Sequence, residues 1–187
     1  MSLLTTASQT VGPYLKIGFA ALSLDTIAPA KATGERVTIQ GRLLDGDRKP
    51  VNDGAIEIWQ ANARGKYASP ADTHDAPVEA GFRGFGRVLT GADGDFRFTT
   101  IKPGRVPGPG GVLQAPHLSA VVFMRGSLRH LLTRIYFPDD PANAEDPILK
   151  LVPADRRATL IARAVAPATI EWNIIMQGAN ETVFFDF

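Results

Sequence analysis

Two side chains in this sequence have the chemistry to hold a hard metal ion. Tyr67 closes the run Ile56-Glu57-Ile58-Trp59-Gln60-Ala61-Asn62-Ala63-Arg64-Gly65-Lys66-Tyr67, an apolar stretch followed by a glycine-containing turn. His117 stands in Pro116-His117-Leu118-Ser119, at the head of another apolar stretch. Phenolate oxygen and imidazole nitrogen suit such an ion. A site of that kind needs tyrosines and histidines converging from several strands. Each of the two residues also has a plainer reading: Tyr67 as a half-exposed turn residue, and His117 as a histidine hydrogen-bonded inside the fold. The other histidines do not help. His74, in Asp72-Thr73-His74-Asp75, belongs to a solvated loop, and His130 follows Arg129 on a strand edge. Three histidines so dispersed form no zinc constellation. No G-x-S-x-G elbow, H-E-x-x-H pair, P-loop or G-x-G-x-x-G fingerprint is present.

The elements that must position these residues read as β-structure. A chain of 187 residues is long enough for one well-buried domain and short for two. Its 44% hydrophobic and 21% charged content is that of a soluble globular protein. Twenty basic against nineteen acidic residues leave a formal charge of +1, so no long-range field favours nucleic acid or anionic membrane. The absence of cysteine excludes disulfides, thiolate metal sites and cysteine nucleophiles, and fits a reducing compartment. Met1-Ser2-Leu3-Leu4-Thr5-Thr6 lacks a basic segment followed by a long apolar run, so no secretory signal is expected. No stretch reaches the roughly 18 apolar residues needed to span a bilayer. These features together read as cytoplasmic.

Eighteen glycines and fourteen prolines, spread along the whole length, punctuate short apolar runs, the pattern of an all-β sandwich or barrel. Strands are expected over 36–44, 55–60, 85–89, 96–100, 118–124, 133–137, 169–177 and 182–187. Asp93-Gly94 marks a tight hairpin, and Asp45-Gly46-Asp47 a turn. Residues 118–124 are almost all apolar and predict a central strand buried on both faces. The one helix expected covers 154–163, after Pro153. Residues 1–30, with little clean periodicity, are expected to form an extended arm with turns, apart from a sandwich over 31–187. Such an arm either wraps another surface or packs on its own sandwich.

The order of several blocks resembles the intradiol ring-cleavage dioxygenases. These blocks are Gln9-Thr10-Val11-Gly12-Pro13-Tyr14, Trp59-Gln60-Ala61, Lys102-Pro103-Gly104, Ala115-Pro116-His117, Thr133-Arg134-Ile135-Tyr136-Phe137 and Glu181-Thr182-Val183-Phe184-Phe185-Asp186-Phe187. Each is weak alone; their order from about Thr10 to Phe187 is specific. The resemblance implies a two-sheet β-sandwich. It also implies a ferric site made by two tyrosines and two histidines, the second tyrosine after the Lys-Pro-Gly turn and the histidines two apart on one strand. Tyr67 and His117 fall on two of these positions. The other two are Val106 and Ser119, so the metal site is expected to be vestigial and no metal is expected on this chain alone.

That departure is similar to one arrangement within the family, the two-subunit enzymes that cleave protocatechuate with O2. There a beta subunit of the same fold supplies every Fe(III) ligand and an alpha subunit helps to wall the cleft. The resemblance carries Thr10, Gly12, Pro13, Tyr14 and Arg125 over to that wall as substrate-binding residues, with no catalytic residue in this chain alone. Gly-Pro lets backbone approach a flat ring, Tyr14 offers a hydroxyl and a ring face, and a guanidinium at 125 can attract the anionic substrate. Arg125 can equally be a solvated strand-end arginine. Arg134, set within 133–137, reads as strand structure. Two other classes stay open: a self-sufficient intradiol catechol dioxygenase, and a β-sandwich binding or scaffold module without chemistry.

Overall fold

The computed structural model describes residues 4–186; Phe187 and residues 1–3, included in the expected strand and arm, lie outside the described residues. Two β-sheets pack face to face, so of the sandwich and barrel that the turn-punctuated apolar runs allowed, the chain forms the sandwich. One sheet contains β1 (Arg36–Leu44), β4 (Asp95–Ile101), β7 (Arg163–Ala166), β8 (Thr169–Glu171) and β9 (Ile174–Ile175). Its order is β4-β1-β8-β7, and β9 continues beside β1. The other contains β2 (Ala55–Trp59), β3 (Phe85–Leu89), β5 (His117–Phe123) and β6 (Leu131–Tyr136), in the order β3-β2-β5-β6. The period-two rule decides which side chains meet between the sheets. Ile39 and Leu43 of β1, Phe96 and Phe98 of β4, Ile56 and Ile58 of β2, and Leu118, Ala120 and Val122 of β5 form that core.

Several expectations need correction. Strand β5 is central, between β2 and β6, but it is fully buried on one face; on the other only His117 is buried, and Ser119, Val121 and Phe123 remain partly exposed. The expected strand over 169–177 is interrupted at Trp172-Asn173, where the Asn173 side-chain oxygen accepts the Arg42 N–H at 2.9 Å in place of a ladder carbonyl. Strand β7 was not expected, because all four of its residues are exposed and carry no apolar alternation. Among its described residues, 182–186, the tail forms no strand. Phe185 bridges Leu132, and Thr133 Oγ1 donates to the Val183 carbonyl at 2.7 Å.

The helix is real but elsewhere. Residues 154–163 form turns and a 3-10 helix at Arg157–Leu160, because Ala162 must turn back to extended backbone to donate to the Tyr136 carbonyl at 3.0 Å. The α-helix, α1 (Pro13–Phe19), lies in the arm expected to be extended. Pro13 at its first position has the helical φ and lacks an N–H that would find no partner there. No residue of α1 is buried. Lys16 holds it down, donating to the carbonyls of Asn52 (2.5 Å) and Thr90 (2.8 Å), and the Arg87 guanidinium covers the Phe19 ring at 4.1 Å. Beyond α1 the chain bridges Leu24 to Arg87 of β3 and Thr26 to Thr99 of β4, and Ile27 and Ala28 are buried. The arm thus joins one edge of each sheet, while Leu4, Tyr14, Ile17 and Leu22 stay exposed. Among the described residues no helix is long and apolar enough to cross a membrane.

Candidate functional site

Strand pairing and two loop contacts bring the predicted donor positions together. Asn62 builds the turn that presents Tyr67: its Oδ1 accepts from the N–H groups of Arg64 (2.9 Å) and Lys66 (3.0 Å). Asp72 accepts the Tyr67 N–H at 2.8 Å. The loop carrying Val106 is tied to this turn by Gly104, whose N–H donates to the Asn62 carbonyl at 2.9 Å. Gly65, at φ 76°, lies against the Arg105 carbonyl, where any Cβ would collide. That close approach brings positions 67 and 106 beside one another. On the sheet, Ser119 of β5 pairs with Trp59 of β2 on one side and Arg134 of β6 on the other, and His117 pairs with Tyr136.

The resulting pocket is aromatic, and the Arg134 guanidinium stands near enough to act on Tyr67 and His117. Tyr67 stacks on Trp59 with ring centroids 6.0 Å apart and planes 6° from parallel. A cavity of about 590 Å³ opens beside them, lined also by Ser69, His74, Val106 and Pro107. His117 is only 3% exposed, and its Nδ1 lies 2.8 Å from the Ala115 carbonyl, which makes it the protonated nitrogen of a neutral ring. Burial lowers its pKa to about 4, and the Arg134 guanidinium pushes it the same way. Burial raises the Tyr67 phenol, against the pull of Arg134. Asp146 anchors the region: fully buried, it accepts from Ala115 N (2.7 Å), Tyr136 OH (3.0 Å), Ile148 N (2.9 Å) and Leu149 N (2.7 Å).

As a ferric site this pocket does not fit. Val106, buried, offers no lone pair, and Ser119 is a poor donor beside imidazole. Among the described residues no group of three or more histidine and carboxylate side chains could hold a metal ion.

A second cluster lies at the other end of β5. Thr10 Oγ1 accepts the Gly126 N–H at 2.7 Å, tying the arm to the loop that follows β5. Arg125, its side chain 65% exposed, makes one ion pair, Nε to Asp53 at 3.4 Å. The arm helix is fixed on the same side, since Lys16 binds the carbonyl of Asn52, next to Asp53. A cleft of about 530 Å³ runs between arm and strand ends, lined by Gln9, Val11, Phe123, Met124, Leu128 and Phe185. Tyr14 is 83% exposed, and the space a Cβ would take at Gly12 is empty. The structure therefore brings Thr10 to Gly126, the neighbour of Arg125, and leaves Tyr14 exposed to solvent. His117 and Phe123, at the two ends of β5, are separated by roughly 20 Å of strand, so the donor pocket and this surface are distinct places.

Sequence reasoning missed Trp59, Gln114, Asp146 and above all Arg134 as neighbours of the pocket. The signal was register: once β5 pairs with β6, Arg134 must stand beside Ser119.

Comparison with known proteins follows the same lines. A profile of a dioxygenase family matches residues 14–178. The chain is similar to a protocatechuate 3,4-dioxygenase alpha chain of Burkholderia cepacia, 43% identical over 99% of this chain and 98% of that one. It is less similar to a beta chain from the same organism, 36% identical over 86% of this chain and 72% of that one. Among solved structures, the dioxygenase domain of a carbohydrate-binding fusion protein from Streptomyces sp. SirexAA-E superposes with a TM-score of 0.61 at 25% identity, over 83% of this chain and 88% of that one.

Proposed function

The chain belongs to the intradiol dioxygenase family, and from that membership we propose that it works as the alpha subunit of a protocatechuate 3,4-dioxygenase. The complex opens the ring of protocatechuate between its two hydroxyl-bearing carbons with O2, giving 3-carboxy-cis,cis-muconate, a step in cytoplasmic aromatic degradation through the β-ketoadipate route. A beta subunit of the same fold holds Fe(III), which supplies chelation and activation of the catechol. This chain supplies a wall of the substrate cleft. The observation that carries the reading is the separation described above. The chain's own donor pocket is two donors short, while an exposed surface bearing a guanidinium and an aromatic hydroxyl stands at the far end of β5.

On this reading the arm from residue 4 to 22 reaches the partner, whose contact covers Leu4, Tyr14, Ile17 and Leu22. Thr10 fixes the loop at Gly126 and so orients Arg125. Arg125 then draws in the anionic substrate and holds its charge near the cleft. The gap beside Gly12 leaves room for another molecule's surface, since none of the described residues occupies it. Pro13 keeps the backbone there in one conformation.

The test is coexpression with a beta chain that carries two tyrosines and a His-x-His pair. An iron-containing heteromeric complex that consumes O2 on protocatechuate supports the proposal. Turnover by the isolated chain, with stoichiometric ferric iron, would instead support a self-sufficient enzyme. Failure of the two chains to copurify would leave only a scaffold role.

A further inference from the structure

Loss of two donors does not fully describe the pocket, because a cation stands among the remaining ones. Arg134 lies next to Ser119 in the β5–β6 pair, one of the two positions where a donor is missing. Its Nη1 donates to Gln114 Oε1 at 2.6 Å and to the Tyr136 hydroxyl at 3.3 Å. Gln114 is itself held, its Nε2 donating to the Pro107 carbonyl at 3.2 Å. The guanidinium is thus locked by β6, by the segment before β5 and by the loop that carries Val106. Arg134 joins none of the ion pairs among the described residues. The acid it reaches, Asp146, lies one hydroxyl away through Tyr136 and already accepts three backbone N–H groups. Its field is felt at Tyr67, Tyr136 and His117, the aromatic groups that converge on the pocket.

We propose that Arg134 is the metal-excluding residue of this chain: its guanidinium provides, as a permanent part of the protein, the positive charge that an ion would bring to the pocket. A fixed guanidinium whose charge already reaches Tyr67 and His117 repels a second cation at those residues, and neither Gln114 nor Tyr136, its own partners, brings a negative charge to offset that. Donor loss at Val106 and Ser119 is then only part of the deficit, and restoring the donors alone leaves the site closed. This inference rests on the family reading of the pocket positions.

The experiment uses the full chain made alone and exposed to ferric iron. It compares the native chain, the double variant Val106→Tyr/Ser119→His, and the double variant combined with Arg134→Gln, which keeps hydrogen-bonding groups for Gln114 and Tyr136 without the charge. A fourth chain carries Arg134→Lys in the same background and keeps a cation. Folding is checked by circular dichroism. Iron is read by metal analysis after gel filtration and by a tyrosinate-to-ferric charge-transfer band in the visible. The expected result is no stoichiometric iron in the native, double and Lys-containing chains, and at least about tenfold more retained iron in the Gln-containing triple variant, the consequence of removing a like charge. Stoichiometric iron in the double variant overturns the proposal. So does iron in the Lys variant equal to that in the Gln variant. If the Gln variant does not fold, Arg134→Met, of similar length and uncharged, replaces it, and failure of both to bind iron also counts against the proposal. The outcome is independent of turnover with a beta chain, which tests the surface at the opposite end of β5.

Discussion

Lowering the pH should unfold this protein early, through His117. Its ring is 3% exposed and neutral, with Nδ1 on the Ala115 carbonyl and the Arg134 guanidinium nearby. The folded pKa is about 4, against an ordinary value of 6.5. In the unfolded chain the ring regains water and titrates normally. Between these two values the unfolded state binds a proton that the folded state refuses, so stability falls as pH falls, and above the unfolded value the effect vanishes. Linkage over that window makes the protein about 2 kcal/mol less stable at pH 5 than at pH 7, a drop in Tm of about 4–8 °C for a domain of this size. The assay is urea or thermal unfolding at the two pH values, for the native chain and for His117→Asn. The substitution lowers stability at both, but it should remove most of the His117 share of the pH dependence. If the variant loses as much stability from pH 7 to pH 5 as the native chain, the buried neutral imidazole is not the source and the reasoning fails.

Three further outcomes are expected. Asp146→Ala strands three buried N–H groups and the Tyr136 hydroxyl, and should cost about 3–5 kcal/mol in chemical denaturation; a loss below about 1 kcal/mol would mean that water replaces the carboxylate. Arg125→Ala, in the complex with a beta chain, should raise KM for protocatechuate about tenfold with little change in kcat, as loss of uniform binding does; an unchanged KM removes Arg125 from the cleft. Gly41→Ala drives a methyl into the Trp172 carbonyl and the Phe96 ring, and should cost about 3 kcal/mol in a thermal melt; a melt like that of the native chain would show that β8 and β9 can shift past β1.

The residues that could be read in advance were those whose meaning is local. Strand β1 was legible because alternating Val37, Ile39 and Leu43 need only a period of two, and β4 because Phe96 and Phe98 repeat it. The helix was misplaced for the converse reason. Residues 154–163 carry a helical pattern, but the pull of Ala162 toward Tyr136 overrides it. Pro13–Phe19 is too short, and apolar on too many sides, to show a helical period, and it is held by Lys16 on distant carbonyls. Strand β7 escaped notice because an exposed edge strand leaves no hydrophobic signature. Arg134 was set aside because its own segment, Thr133 to Phe137, describes an ordinary strand; its importance comes from what stands across from it.

The sequence alone determined the poverty of metal donors. A valine has no lone pair wherever the fold places it, and a chain without cysteine and with three scattered histidines has few substitutes. It also determined an all-β sandwich or barrel, since period-two runs between turn residues can bury their apolar faces in few other ways, and the family resemblance pointed to the two-sheet form. Only the tertiary structure decided that the charge of Arg134 bears on both Tyr67 and His117, that Thr10 meets Gly126, next to Arg125, at the other end of β5, and that the arm contains a helix. Those facts depend on strand register, on desolvation and on the sum of neighbouring charges. Each is set by segments distant in the chain, and none is written in the residues it affects.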